Sequence, residues 1–273
     1  MTAVLEQQAN LFAPIEPAVD LVALPEISVI MPAYNEEGKI ADCIQSAEAH
    51  LERLGRPYEI IVVDDGSTDG TRREARRAGI NPHVRVVGYS QNRGKGFAIK
   101  HGVKHARGDV VVFMDSDGDI KPDLIDQYVA LLRDNDIVLA SKRHPDSKVS
   151  APLMRRFLSY GFNCLVIILT GVRVSDTQSG FKAFRREALV KIMALVSVKR
   201  YAFAVELVVV AKLLKLRIVE LPVRIRLGSL FSARQVVWML VDLLGITYRL
   251  RVIRWYERSL HNLEAAYSSI VKL

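Results

Sequence analysis

Five short runs rich in β-branched residues, at 27–31, 60–63, 84–87, 110–114 and 137–140, recur along the first half of this chain. Each is apolar almost throughout rather than alternating, so each needs cover on both faces. Between them lie stretches of helical character, at 37–54, 71–78, 96–106 and 124–132. Strand, helix, strand in that order is the βαβ unit. A series of such units builds a mostly parallel α/β sheet with helices on both faces.

After residue 151 the pattern changes. An apolar helix is expected at 153–169, then a mixed segment at 178–185, two helices and one more strand at 217–225. The last stretch, 232–273, reads as amphipathic, Arg-rich helices. These shifts suggest a loosely held arm at 1–25, a main domain at 26–226 and a membrane-associating helical segment at 227–273. The arm has acids and prolines but no basic start or long apolar stretch, so no secretory signal is expected. The longest uncharged run, 157–172, is bounded by Arg156 and Arg173 and falls short of the ~20 residues of a spanning helix. No transmembrane helix is expected.

The net charge is +8, which favours an anionic partner. That partner is not expected to be nucleic acid, because the basic residues are not interleaved with stacking aromatics. Cys43 and Cys164 are the only cysteines and lie far apart. A disulfide framework and a cysteine zinc site are therefore excluded, and a reducing compartment is favoured.

In an open parallel sheet, ligands bind beyond the carboxyl ends of the strands. The first run leads into Pro32-Ala33-Tyr34-Asn35-Glu36-Glu37. The second leads into Asp64-Asp65-Gly66-Ser67-Thr68-Asp69-Gly70-Thr71, and the fourth into Asp115-Ser116-Asp117-Gly118-Asp119. Three polar ends on one sheet edge make a site. Turn and cap chemistry accounts for Gly66, Thr68 and Asp69. It leaves Asp64 and Asp65, directly after a buried strand, without the partners that buried carboxylates need. Asp115, Asp117 and Asp119 repel one another unless a cation neutralises them, and oxygen ligands suit Mg2+ or Mn2+. An EF-hand is excluded, since Ile120 and Asp126 stand where its loop requires Gly and Glu.

Other motifs fail on spacing. No G-x-G-x-x-G follows the first run, and 88–95 imitates a P-loop with a spacer one residue too long. His101 and His105 have metal spacing, yet Gly102 replaces the required Glu, and a solvated helix face beside Lys100 and Lys104 is the expectation. Asn92-Arg93-Gly94-Lys95-Gly96 opens a helix whose N-terminus, with Arg93 and Lys95, favours phosphate.

These blocks, in this order and spacing, resemble the family 2 glycosyltransferases with the GT-A fold. The likeness continues through Asp176-Thr177-Gln178-Ser179-Gly180-Phe181-Lys182, Glu206 and Val219-Glu220-Leu221-Pro222-Val223. Those later blocks resemble the dolichyl- and polyprenyl-phosphate glucosyltransferases and mannosyltransferases, and the match spans about residues 27–226. The loop at 115–119 is closer to the glucose-transferring members, because many mannose-transferring members carry Gln where Asp119 stands.

The resemblance implies an inverting transfer of a hexose from a nucleotide sugar to a dolichyl or polyprenyl phosphate, with UDP-glucose favoured and GDP-mannose as the alternative donor. It implies that Pro32, Tyr34 and Glu36 line the nucleotide pocket with Lys95 and Asp115, and that Asp64 and Asp65 meet base and ribose. Asp115, Asp117 and Asp119 would hold the divalent metal at the diphosphate. Arg143, Arg155, Arg156 and Ser179 would hold the acceptor phosphate, with Asp117 and Arg143 carrying catalysis. The enzyme would sit peripherally on the cytoplasmic face of a membrane. The segments 153–169 and 232–256 would meet it, with Arg249, Arg251, Arg254 and Arg258 toward an anionic surface.

Four other readings stay open. The same segments could be core helices or a homo-oligomer interface, and the acceptor could be a soluble phosphoglycerate or sugar. A sugar nucleotidyltransferase needs a Gly- and Arg-rich loop directly after the first strand, which 32–36 is not. The last is an anionic-ligand binding protein without catalysis.

Overall fold

The computed structural model describes residues 24–79, 81–198, 200, 202–226 and 233–270. Most of the arm expected at 1–25, and residues 227–232 ahead of the C-terminal helices, lie outside the described residues. The central sheet has seven strands in the order β3-β2-β1-β4-β7-β5-β8. They are β1 (Ile27–Ala33), β2 (Tyr58–Asp65), β3 (Val84–Tyr89), β4 (Val110–Phe113), β5 (Ile137–Ser141), β7 (Lys182–Arg185) and β8 (Ile218–Pro222). All neighbours are parallel except β7, which runs antiparallel to both β4 and β5. The mixed segment at 178–185 thus becomes a strand wedged mid-sheet, an insertion that periodicity alone does not reveal.

Residues alternate between the two faces of a strand, and both faces are packed. Ile30, Ile61, Val63, Val111 and Phe113 join one core cluster with α3 (Lys95–His105), α6 (Arg186–Leu195) and α7 (Phe203–Leu213). Val29, Met31, Ile60, Val62 and Val112 join the other with α1 (Ile40–Leu54), Ala75 of α2 (Thr71–Ala78) and α4 (Ile125–Leu131). Each large side chain so withdrawn from water contributes about 1.5–3 kcal/mol. The continuous apolar runs of the sequence are explained by this two-sided cover.

The single strand expected at 217–225 is two. Pro222 has no N–H to continue the ladder, and Val223 instead donates its N–H to Ser147 Oγ at 2.9 Å. Beyond it, β9 (Arg224–Arg226) leaves the main sheet and pairs with β6 (Lys148–Ser150).

The C-terminal stretch packs on the first core. Leu243 and Ile246 of α8 (Ala233–Thr247) and Tyr256 of α9 (Trp255–Ile270) are buried in that cluster. A π-helical turn, Tyr248–Val252, joins the two helices. The other face of α8 leaves Val237, Val241 and Leu244 exposed, and Tyr248 of the π-helical turn follows them. Beside α8 packs α5 (Leu153–Thr170), where Leu153, Met154, Phe157, Tyr160 and Ile168 are exposed as well. Only Asn163, Val166 and Thr170 of α5 are buried. The uncharged run at 157–172 thus lies mostly within an 18-residue helix, Leu153–Thr170, of mean hydropathy 1.3. Among the described residues it is the one helix long and apolar enough, by length and composition, to cross a membrane.

Candidate active site

Loops at the carboxyl ends of β1, β2 and β4 meet in a cleft of about 580 Å³. The loop after β1 is laced to the loop after β2. Asn35, at φ 56°, accepts the Thr68 N–H at 2.9 Å, and Glu36 N–H donates to Thr71 Oγ1 at 2.8 Å. Gly66 makes the turn possible. It sits at φ 72°, and a β-carbon there would lie 2.5 Å from the Gln91 carbonyl carbon. Only glycine lets the β2 loop press against the segment that opens α3.

Asp65 is the strut of that segment. Its carboxylate accepts the Tyr89 hydroxyl at 2.6 Å, the Arg93 N–H at 2.8 Å and the Gly94 N–H at 2.9 Å. Burial, then the Asp65 carboxylate, push the Tyr89 hydroxyl well above the ordinary phenol range, so it stays a donor. Asp64 points elsewhere. It accepts Arg72 Nε at 2.6 Å and the Ser67 N–H at 3.0 Å, facing a second cleft lined by Arg72, Arg73, Arg76 and Arg77. Of the pair expected at the base and ribose, only Asp65 lines the main cleft. Adjacent strand residues project to opposite faces, which separates them.

Lys95, the first residue of α3, brings its ammonium 2.5 Å from Asp115 Oδ1. Ser116 is turned inward and donates to the Pro32 carbonyl at 2.8 Å, which fixes the β4 loop to β1. Asp117 lines the cleft and accepts the Asp119 N–H at 3.0 Å. The Asp119 carboxyl is raised by burial and then by the Asp117 charge, against the opposing pull of Arg155. The Glu36 carboxyl is raised by burial too, with Lys39 opposing and Asp117 and Asp115 adding repulsion. Among the described residues no three His, Cys, Asp or Glu side chains converge as a ready metal-ligand cluster. Asp115 and Asp117 nevertheless line the cleft together and their charges both act on Asp119, so the repelling oxygen donors here fit a divalent cation.

The expected acceptor residues scatter. The Arg143 guanidinium is already committed, donating to the Ser175 carbonyl at 2.7 Å and the Ser159 carbonyl at 2.6 Å. It stacks over the Tyr160 ring 5.4 Å from its centroid and ties α5 to the loop before β7. In this arrangement it is a brace, because two neutral carbonyls occupy the fork that was expected to clamp a phosphate. Arg155 is half-buried and close enough to act on Asp119. Arg156 is exposed. Ser179 is buried, and its hydroxyl has no partner.

Around Ser179 the quoted block at 176–182 becomes a charged nest, joined by Lys142, which no local motif marked. Asp176 accepts both Lys142 Nζ at 2.8 Å and the Lys142 N–H at 3.0 Å. Burial alone would raise that carboxyl, but Lys142 prevails and holds it below the usual range. Lys182 is fully enclosed and donates to the Ser179 carbonyl. Burial, then the nearby Lys95 charge, push its ammonium down to about 7. Next to it, Gly180 lies against Asp115, where a β-carbon would come 1.8 Å from Oδ2.

Four more cleft residues come from far along the chain: Arg200 before α7, and Arg234, Gln235 and Trp238 of α8. No spacing signal joins residue 200 to residue 234, and only the packing of α8 on the core brings them together. His101 and His105, expected on a solvated face, are partly buried, and burial followed by neighbouring cations lowers both below the ordinary imidazole value. Their rings stack edge-on, 4.9 Å between centroids.

The family model described as Glycosyl transferase family 2 matches residues 28–193. A dolichyl-phosphate beta-glucosyltransferase of Drosophila melanogaster is 39% identical over 217 residues, 73% of this chain and 66% of that protein. Its Homo sapiens counterpart by the same description is 36% identical over 216 residues, 72% of this chain and 66% of that protein. The chain thus spans about two thirds of the length of these relatives. Among solved structures, glucosyl-3-phosphoglycerate synthase from Mycobacterium tuberculosis in complex with UDP superposes with a TM-score of 0.64 at 24% identity, covering 82% of this chain and 80% of that one. A crystal of the same synthase with Mn2+, UDP-glucose and glycerol 3-phosphate superposes at 0.61 and 25% identity, covering 81% and 80%.

Proposed function

The chain belongs to glycosyltransferase family 2, and from that premise we propose that it transfers glucose from UDP-glucose to a dolichyl or polyprenyl phosphate at a membrane surface. The observation that carries the reading is the pairing of Lys95, at the start of α3, with Asp115 in a cleft that also holds Asp117. A helix N-terminus with a lysine receives a diphosphate. Asp115 and Asp117, with Asp119 beside them, are the residues that would hold a divalent cation, Mg2+ or Mn2+, whose charge would ease departure of the nucleoside diphosphate. Relatives described as dolichyl-phosphate beta-glucosyltransferases support glucose and the polyprenyl acceptor, and the synthase crystal with Mn2+ and UDP-glucose supports the donor.

In the proposed reaction an acceptor phosphate oxygen attacks the anomeric carbon as the bond to the UDP oxygen breaks. Attack from the opposite face turns an α-linked donor into a β-linked product. No protein base is required, since a phosphate monoester with its second pKa near ~6 is already largely dianionic at neutral pH. The work left to the protein is orientation: Asp65 and Gly66 hold the α3 segment, Ser116 ties the β4 loop, and Tyr34 and Pro32 wall the nucleotide pocket. Arg155 is the arginine of the expected set nearest the carboxylates, and we assign it the acceptor phosphate in place of Arg143.

The membrane half of the reading rests on the exposed apolar faces of α5 and α8, which lie side by side. A contiguous apolar surface on a folded protein marks an interaction site. The buried Asn163 and Thr170 keep α5 against the protein, so we assign it to the interface rather than to an isolated span, on the cytoplasmic face. The test is a donor screen with UDP- and GDP-sugars against a short-chain polyprenyl phosphate, run beside flotation with anionic vesicles. Glucosyl lipid formed from UDP-glucose, by protein that floats, supports the proposal. Transfer only to a soluble phosphate, by protein that stays unbound, overturns it in favour of the soluble-acceptor reading.

A further inference from the structure

Glu206 is fully buried in α7, yet no step of the proposed reaction uses it. Five donors converge on its carboxylate. From the loop ahead of α7 come the Ser197 N–H at 2.8 Å, the Ser197 hydroxyl at 3.0 Å and the Val198 N–H at 2.6 Å. From the C-terminal segment come the Arg249 guanidinium at 3.0 Å and the Tyr256 hydroxyl at 2.5 Å. Arg249 was expected to face a membrane. It is instead half-buried and bonded to Tyr256 as well, 3.2 Å between Nε and the hydroxyl.

The two groups of donors lead to the same place. The loop carries Arg200 into the main cleft, and the C-terminal segment carries Arg234, Gln235 and Trp238 there on α8. Arg200 lies over the Trp238 ring at 4.7 Å, and the Ala202 N–H reaches Asp242 of α8 at 3.5 Å. The outer wall of the cleft is therefore assembled from two separate pieces of chain whose shared anchor is one carboxylate. We infer that Glu206 is a positioning residue for the donor site: it holds Arg200 and the Trp238 face of α8 in register, so that together they close the cleft over the nucleoside diphosphate. This rests on the donor reading of the cleft.

A carboxylate is needed because it offers about four lone-pair positions and no hydrogen. Glutamine has the same shape but one acceptor oxygen, and its amide would face donors. The residues that α8 brings to the cleft need a fixed base, and α9 supplies part of it through Tyr256.

The test is calorimetric binding of UDP with Mn2+ to the full chain, for wild type, Glu206→Gln, Arg200→Ala and the double variant. Glu206→Gln is expected to weaken UDP binding by about tenfold, and the double variant to bind no more weakly than Arg200→Ala alone. A general loss of stability would not produce that non-additivity. Wild-type affinity in Glu206→Gln, or losses that multiply in the double variant, would overturn the inference. If Glu206→Gln does not fold, Tyr256→Phe takes its place in the same cycle, with the same two outcomes deciding. Amide exchange at Val198 and Trp238 separates this inference from the donor reading. Should wild type bind no nucleoside diphosphate, the donor reading falls, whereas protection unchanged by the substitution sinks the assignment of Glu206 by itself.

Discussion

Gly180→Ala should disable the enzyme while leaving it folded. The backbone of Gly180 is pressed against Asp115 so closely that an added β-carbon would lie 1.8 Å from Oδ2 and 2.2 Å from Cγ. Ordinary contact begins near 3.4 Å, so Oδ2 must retreat by about 1.6 Å. Asp115 is short and its other oxygen holds Lys95 at 2.5 Å, so retreat breaks that pair and displaces an oxygen of the proposed cation site. Overpacking of this kind costs roughly 1–3 kcal/mol of stability. A misplacement near 1 Å at a reacting centre costs about 100-fold in rate, or about 2.7 kcal/mol of transition-state stabilisation. The assay is kcat/KM for glucosyl transfer at saturating Mn2+, with urea unfolding in parallel. The control is Gly161→Ala, where nothing lies within 4 Å of the new carbon and a helix interior gains up to ~1 kcal/mol. Activity of Gly180→Ala within threefold of wild type would refute the argument, because it would show that Asp115 can move without consequence.

Asp117→Asn keeps an oxygen for the Asp119 N–H and should fold normally, yet lose about 100-fold or more of transfer at any Mn2+ concentration; wild-type turnover would remove Asp117 from the site. Lys142→Met leaves Asp176 buried with its nearest cation gone and should cost about 3–5 kcal/mol, read as a shift in the urea midpoint, and a loss below ~1 kcal/mol would show the pair to be dispensable. Lys182 supplies a pH dependence of definite sign. Its folded-state pKa is near 7 and its unfolded value near ~10.4, so between these the unfolded chain binds the extra proton and stability rises with pH. Lys182→Met should abolish that rise between about pH 7 and pH 9.5, and identical pH profiles for the two proteins would show the ammonium to be solvated.

The parallel sheet was legible because each strand is buried on two faces, which forces continuous runs of Val and Ile: the observed β1, β2, β3 and β5 contain the runs at 27–31, 60–63, 84–87 and 137–140, and β4 covers the run at 110–114 except Met114. The main cleft was legible for the same reason. Polar residues directly after such runs must sit at one sheet edge, which is where Pro32, Tyr34, Glu36, Asp65, Lys95, Asp115 and Asp117 lie. Asp64 shows the limit of that logic: one residue before Asp65, it belongs to the opposite side and to Arg72. Arg143 shows another. Its position after β5 was readable, but the two carbonyls that engage it come from α5 and from the loop before β7.

By itself the sequence determined whatever depends on neighbours along the chain: the order of strands and helices, the helix N-terminus at Lys95, and the carboxylates gathered at 115–119. Tertiary structure decided everything that depends on which distant segments meet. It inserted β7 antiparallel between β4 and β5, split 217–225 at Pro222, turned Arg249 inward onto Glu206, and carried Arg200 and Trp238 to the main cleft. The physical reason is the range of the forces involved. Propensity, capping and burial pattern act within a few residues, whereas a buried carboxylate such as Glu206 accepts any donor that the fold delivers, and its five donors come from sites up to fifty residues away.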